Sequence, residues 1–254
     1  MSDQAAKARA FKALHITGNP LVLFNVWDAG TAKAVAASGA KALATGSWSV
    51  AAAHGFDDGE FMPFDLALAN LERIVAATDL PVTIDLESGY GATADEVGAT
   101  VARAVQAGAI GCNLEDSSRE SGPLRDVADQ VERLKGARSA AEKLGVPAFL
   151  NARTDVFLIA PAAEHEDLVA QAVARGRAYA DAGADGFFVP GLVNETLIAR
   201  VVEQSPLPVN IMTTASTPPA KRLAELGVAR ISHGPGPYRS MMKALEDAAR
   251  AALL

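Results

Sequence analysis

Carboxylates recur where short apolar runs come to an end: Asp28, the pair Asp85 and Glu87, Glu115 with Asp116, and Asp155. Thr45-Gly46-Ser47-Trp48, Asn151, Arg153, Asn210 and Ser232-His233-Gly234 fall at comparable places. Carboxylates gathered in a small space repel one another unless a cation neutralises them. A set rich in oxygen ligands, with almost no His or Cys, suits Mg²⁺ or Mn²⁺ rather than zinc. Asp85 and Glu87 are two apart and face the same way while a strand persists, so one can bind the metal directly and the other through water.

Each of these residues has a plainer reading. Asp28 before Ala-Gly-Thr also suits a helix cap, and the sequence leaves both roles open. Asp155 reads as the partner of Arg153, and Asp116 as a loop cap beside Glu115. Asp85, flanked downstream by Ser88, Gly89 and Gly91, reads as functional, because small neighbours let a ligand approach. His54 and His165 read as ordinary surface residues, and Cys112 as a buried structural thiol inside a strand.

The elements that position these residues follow from a repeated junction. Ser38-Gly39-Ala40, Ala107-Gly108-Ala109, Leu144-Gly145-Val146, Ala182-Gly183-Ala184 and Leu226-Gly227-Val228 each end a helical segment and precede an apolar run. Glycine adopts the left-handed conformation that closes a helix, so five helix stops feeding strands are predicted. Eight strands follow, near 21–26, 41–45, 82–86, 110–114, 147–151, 186–189, 208–212 and 228–232. Most are continuous apolar runs, as in parallel strands buried on both faces. Leu68, Leu71, Ile74 and Val75 share one helical face, as do Val97, Val101 and Val105, and Val127, Val131 and Leu134. Strict βα alternation over residues 1–254 predicts one α/β domain, a (β/α)₈ TIM barrel with only the first dozen residues peripheral. A doubly wound sheet would carry a glycine-rich fingerprint after its first strand, where this chain has Asn25-Val26-Trp27-Asp28. In a barrel the chemistry sits at the C-terminal strand ends, where the carboxylates fall.

A net charge of −7, with no basic run longer than two residues, argues against a nucleic-acid partner. No stretch reaches the apolar length a bilayer requires, so no membrane partner is expected. The N-terminus lacks a signal-peptide pattern, and a single cysteine excludes a disulfide framework; a cytoplasmic protein is expected.

Together, Phe24-Asn25-Val26-Trp27-Asp28, Gly46-Ser47-Trp48-Ser49-Val50, Gly55-Phe56-Asp57-Asp58-Gly59, Asp85-Leu86-Glu87-Ser88-Gly89-Tyr90-Gly91, Glu115-Asp116-Ser117, Asn151-Ala152-Arg153-Thr154-Asp155 and His233-Gly234-Pro235-Gly236 resemble the isocitrate lyase / phosphoenolpyruvate mutase superfamily. The resemblance covers almost the whole chain. It implies a Mg²⁺ (or Mn²⁺) bound directly by Asp85, with Asp58, Glu87 and Glu115 holding it largely through water. Family members usually have Asp where this chain has Glu87. The resemblance also implies a 2-oxo acid whose carboxylate rests on Gly46, Ser47 and Trp48, with Arg153 on its oxygens and Asn210 and Arg239 lining the pocket. Breaking the bond beside the carbonyl then leaves an enolate that the metal stabilises.

Two departures narrow the expectation. The lyases of the family carry a catalytic cysteine in a loop after strand four, in a Lys-Lys-Cys-Gly type motif. Residues 117–123 here are Ser-Ser-Arg-Glu-Ser-Gly-Pro, with no Cys or Lys, and whether they form a lid is open. Strand six ends in Val189-Pro190-Gly191, without the histidine of the P–C bond enzymes. The reading that remains is a Mg²⁺-dependent carbon–carbon lyase of a small 2-oxo acid, oxaloacetate decarboxylase-like, with Asp58, Arg153 and His233 as catalytic candidates. His233 would contact a distal carboxylate or protonate the enolate, or else pack at the rim. A mutase or phosphonopyruvate hydrolase, and a binding protein without turnover, are the alternatives. The family commonly forms tetramers that exchange the last helix. A homo-oligomer, dimer or tetramer, is therefore expected, although the chain ends soon after that helix and leaves little for exchange.

Overall fold

The computed structural model describes residues 2–117 and 124–253. The stretch 118–123, where the family cysteine and a lid were considered, lies outside the described residues.

All eight strands form, six of them shorter than the expected run and two, the fourth and fifth, of the expected length but shifted one and two residues toward the C-terminus. They are β1 (Leu21–Leu23), β2 (Leu43–Ala44), β3 (Val82–Asp85), β4 (Gly111–Glu115), β5 (Phe149–Arg153), β6 (Gly186–Phe188), β7 (Val209–Met212) and β8 (Arg230–Ser232). Every pairing is parallel, in the order β1-β8-β7-β6-β5-β4-β3-β2. A parallel bridge between Val26 and Thr45 joins the extensions of β1 and β2. With that bridge the sheet closes into the (β/α)₈ barrel.

Between the strands run α2 (Ala29–Ala37), α3 (Ser47–Ala53), α4 (Phe64–Ala76), α5 (Ala94–Gln106), α6 (Val127–Lys143), α7 (Val156–Ile159), α8 (His165–Asp181), α9 (Glu195–Gln204) and α10 (Ala220–Glu225). The helices α1 (Ser2–Ala13) and α11 (Gly236–Leu253) flank them. The five junction glycines, Gly39, Gly108, Gly145, Gly183 and Gly227, all have positive φ between 70° and 103°, so each closes its helix as the spacing predicts. Val97, Val101 and Val105 are buried on α5, and Leu71 and Ile74 on α4, whereas Val127 is exposed. In α6, a Cβ on Gly136 would lie 2.3 Å from the Ala94 carbonyl oxygen. Only glycine lets α5 and α6 approach this closely.

The first dozen residues are not peripheral. α1 covers the N-terminal end of the barrel, with Ala8 and Phe11 fully buried, and Gln4 Nε2 donates to the carbonyls of Val105 and Ala109. Just beyond α1, His15 stacks on Phe149 at 4.0 Å. The chain entered here without strong apolar periodicity because the helix plugs a ring of strand ends rather than lying along a sheet. His165 is also buried, edge-on to Phe157 at 5.2 Å, rather than on the surface. His54 is exposed, as expected.

Candidate active site at the C-terminal strand ends

Asp85 is the last residue of β3 and is only partly buried. Its Oδ1 accepts the Glu87 amide at 3.2 Å, and its Oδ2 accepts the Ser47 amide at 3.4 Å. The Thr45 hydroxyl, from the adjoining strand end, accepts the Asp85 amide at 3.0 Å. Asp85 therefore faces the turn from Gly46 into α3, with both carboxylate oxygens accepting backbone amides.

Glu87 does not continue the strand. Its φ is +53°, and Glu60 and Tyr90, at φ +62° and +50°, share the left-handed region that non-glycine residues seldom occupy. The three residues hold one another. The Glu60 amide donates to Glu87 Oε2 at 2.5 Å, and the Tyr90 hydroxyl to Glu87 Oε1 at 2.9 Å. Glu60 Oε1 in turn accepts from the Ser88 hydroxyl and the Tyr90 amide, each at 2.7 Å. Strain of this kind persists where surrounding bonds over-determine it, and it clusters at functional sites. From outside the turn, Arg133 donates to the carbonyls of Gly91 and Ala92 at 2.8 and 2.9 Å, and to that of Ser88.

Burial pushes the Glu87 carboxyl up to about 7, with the charges of Asp58 and Asp85 adding to the rise. Burial and Asp85 likewise raise Asp58, against the help of the Ser47 hydroxyl. Glu115, the last residue of β4, is raised by burial and opposed by Arg153. Arg153, ending β5, is gripped on two sides. Its Nη1 lies 2.7 Å from Glu115 Oε2, while Nε and Nη2 lie 2.6 and 3.0 Å from the oxygens of Asp155. Asp155 thus pairs with Arg153 as the sequence suggested, and it also accepts the Ser117 hydroxyl. A cavity of about 10 Å³, the size of one water, is lined by Thr45, Ser47, Asp85, Glu87 and Tyr90.

Asp116 departs from its expected loop-capping role. It is fully buried and takes Arg175 at 2.9 Å and the Tyr179 hydroxyl at 2.7 Å, both from α8. It also accepts the Asp155 amide at 3.0 Å, so it anchors the base on which Arg153 is held. Asp28, left open by the sequence, caps α2: Oδ1 accepts the Thr31 amide at 2.7 Å in a capping box.

Among the remaining candidates, Arg239 lies over the Trp48 ring at 4.5 Å and so reaches the Gly46–Trp48 turn. Asn210 is buried and accepts the Ser232 hydroxyl at 3.2 Å. His233 is half-buried, its Nδ1 3.2 Å from the Thr213 hydroxyl and its ring 5.0 Å from Phe24. Burial lowers its pKa, and no carboxylate contributes to that shift. The structure thus gathers Asp58, Asp85, Glu87, Glu115 and Arg153 with Ser47, and ties His233 through its amide and Asn25 to Thr45 at the same strand ends.

Among the described residues no three His, Cys, Asp or Glu side chains are close enough to hold a metal ion directly. Mg²⁺ keeps several waters and is commonly held by only one or two protein carboxylates. Asp58 and Glu87 are both raised, in part by the charge of Asp85, and a divalent cation relieves such crowding, so the donor set fits one. Sequence reasoning missed Tyr90, Glu60 and Arg133. The legible signal was Arg133 itself, a cation on the buried stripe of α6 that also holds Leu134, Ala137 and Ala141.

The sequence profile of the phosphoenolpyruvate phosphomutase family matches residues 11–253. A solved structure from Burkholderia cenocepacia, provisionally described as a phosphonomutase, is 56% identical, with TM-score 0.95 over 98% of this chain and 99% of that one. The 2-methylisocitrate lyase of Salmonella typhimurium is 29% identical over 94% of this chain and 82% of its own. The oxaloacetate decarboxylase of Pseudomonas savastanoi pv. phaseolicola is 28% identical over 95% and 83%. The chain belongs to the isocitrate lyase / phosphoenolpyruvate mutase superfamily, whose members are metal-dependent lyases and mutases.

Proposed function

We propose that this protein is a Mg²⁺-dependent lyase of a small 2-oxo acid, working through an enolate, with oxaloacetate decarboxylation as its type reaction. The observation that carries the reading is the gathering of Asp58, Asp85, Glu87 and Glu115, the last two buried, around one clamped cation, Arg153. Asp85 would hold the metal directly, and Asp58, Glu87 and Glu115 through water. When bound, the divalent cation supplies Lewis acidity toward the adjacent carboxylate and carbonyl oxygens of such an acid. The chain's own residues do the rest. The Gly46–Trp48 turn presents backbone amides to the substrate carboxylate, and Asp155 fixes the Arg153 guanidinium so that it can face developing negative charge. Arg239 on Trp48 and Asn210 would line the pocket. His233, neutral because burial lowers it, would act as a hydrogen-bonding or late proton-transfer group.

Calorimetric titration of oxalate, a mimic of the pyruvate enolate, tests this reading. Binding that requires Mg²⁺ and is abolished by Asp85→Ala is expected. Folded protein that ignores oxalate with and without Mg²⁺ would sink it. A mutase or phosphonopyruvate hydrolase is the second reading, favoured by the name given to the Burkholderia relative. Against it, β6 presents Phe188, whose ring faces Arg153 at 5.8 Å and offers a leaving phosphoryl group no hydrogen bond. Turnover of oxaloacetate, phosphonopyruvate and 2-methylisocitrate separates the readings, and affinity without turnover of any would indicate a binding protein.

We also infer a homo-oligomer. A groove of about 710 Å³ on the outer face of β1 is lined by Ile16, Val22, Phe24, Val35 and, at its edge, the chain's own Met241. α11, eighteen residues long, exposes Met241, Met242 and Leu245. At about 1.5 Å per residue α11 is long enough to cover such a groove on a second copy. Light scattering on Met242→Glu and Leu245→Glu variants checks this: a shift to monomer supports exchange, and an unchanged mass argues against it.

A further inference from the structure

Asp58 and Glu87 reach the site from two separate segments, the loop that leads from α3 into α4 and the turn that leads from β3 into α5. Glu60, two residues beyond Asp58, joins these segments with both its backbone and its side chain. Its amide donates to Glu87 Oε2 at 2.5 Å, and its Oε1 accepts the Ser88 hydroxyl and the Tyr90 amide, each at 2.7 Å. Tyr90 completes the circuit by donating its hydroxyl to Glu87 Oε1 at 2.9 Å. The two Glu87 oxygens are thus fixed from two sides, one by each segment.

The turn that carries this brace is itself held stiffly. Glu60, Glu87 and Tyr90 all have φ between 50° and 62°, which residues with side chains keep only where their surroundings impose it. Gly89, at φ +107°, and Gly91 lie hard against α5. A Cβ on Gly89 would meet Val97 at 3.0 Å, and one on Gly91 would meet the Glu96 Cβ at 2.5 Å. Arg133 of α6 binds the carbonyls of Ser88, Gly91 and Ala92, and the Tyr90 ring packs on Phe64 of α4 at 5.1 Å. The space that Glu87 and Tyr90 share with Asp85 and Ser47 is only about 10 Å³, so the Glu87 carboxylate has little room to swing.

Stiffness of this kind discriminates between cations. Mg²⁺ demands near-octahedral placement of its ligands and their waters, whereas Ca²⁺ accepts more oxygens in a looser geometry. A carboxylate pinned at both oxygens serves the first ion and adds little for the second. We propose that Glu60 is a positioning residue of the metal site, holding Glu87 through its own amide and through Tyr90, and that this brace sets a preference for Mg²⁺ over Ca²⁺. The proposal rests on the metal-dependent reading above and deepens it, since Glu60 acts through Glu87 and not as a ligand.

The test follows Mn²⁺ uptake through the electron paramagnetic resonance signal of the free ion, with Mg²⁺ or Ca²⁺ as the displacing ion. Wild type, Glu60→Ala, Glu60→Gln and Tyr90→Phe are compared, with a melting temperature for each. Glu60→Ala removes the acceptor of Ser88 and Tyr90, so Mg²⁺ affinity should fall at least about tenfold while Ca²⁺ affinity changes less than about threefold. Gln keeps that acceptor oxygen, so Glu60→Gln should hold Mg²⁺ within about threefold of wild type. Tyr90→Phe frees one Glu87 oxygen and keeps the ring on Phe64; it should lower the Mg²⁺ to Ca²⁺ affinity ratio by about threefold or more, and it decides should Glu60→Ala fail to fold. A merely structural Glu60 would lower the melting temperature and leave that ratio at its wild-type value, which overturns the proposal. A loss in Glu60→Gln equal to that in Glu60→Ala also overturns it, because charge and not placement would then matter. Wild-type protein that takes up no Mn²⁺ defeats the metal-dependent reading and the brace with it. Mn²⁺ uptake with an unmoved ratio in Glu60→Ala and Tyr90→Phe defeats the brace alone.

Discussion

Replacing Glu87 by Gln in metal-free protein should stabilise it at high pH and do little at low pH. Glu87 rises from 4.5 to about 7 in the folded state because it is buried near Asp58 and Asp85. The folded state then holds a proton that the unfolded chain has already released. The stability from that proton is fully present below about 4.5 and is lost as pH climbs through about 7. At about 1.36 kcal/mol per unit, the loss is on the order of 3 kcal/mol. Gln cannot ionise but keeps an oxygen for the Glu60 amide and a polar group for Tyr90, so its contribution stays flat. Urea denaturation of wild type and Glu87→Gln from pH 4 to pH 8 should give curves that meet at the acid end and diverge toward pH 8. Excess Mg²⁺ should close the gap by restoring a counter-charge that only the wild type can use. Parallel curves between pH 5 and pH 8 would refute the argument, because Glu87 would then titrate alike folded and unfolded.

Three further outcomes follow from other contacts. Asp155→Ala frees two edges of the Arg153 guanidinium, so Mg²⁺-dependent oxalate affinity should fall about tenfold, read by calorimetry. Asp116→Ala leaves Arg175 buried without its carboxylate and should cost about 3–5 kcal/mol in chemical denaturation. A loss under about 1 kcal/mol would mean the pair is solvated. Gly136→Ala drives a methyl onto the Ala94 carbonyl and should cost about 1–3 kcal/mol, measured as a fall in melting temperature.

Much of the fold was legible because barrel strands and their helix stops leave local marks. Five glycines at helix ends and eight apolar runs fixed the alternation, and strand-end carboxylates marked where chemistry belongs. The same locality explains the pairing of Arg153 with Asp155 and the alternative cap at Asp28, since both partners lie within three residues. What stayed hidden depends on residues far apart in the chain. Glu87 leaves the strand because Glu60 and Tyr90 seize its carboxylate, and no two-residue spacing reveals that turn. Asp116 became a buried anchor only when α8 brought Arg175 and Tyr179, more than fifty positions away. α1 read as peripheral because its role is to plug the N-terminal end of the barrel. Types and spacing along the chain determined which groups could meet a metal and a 2-oxo acid. Closure of the barrel decided which of them are desolvated and which are clamped, because burial and long-range pairing set the energy of every charge.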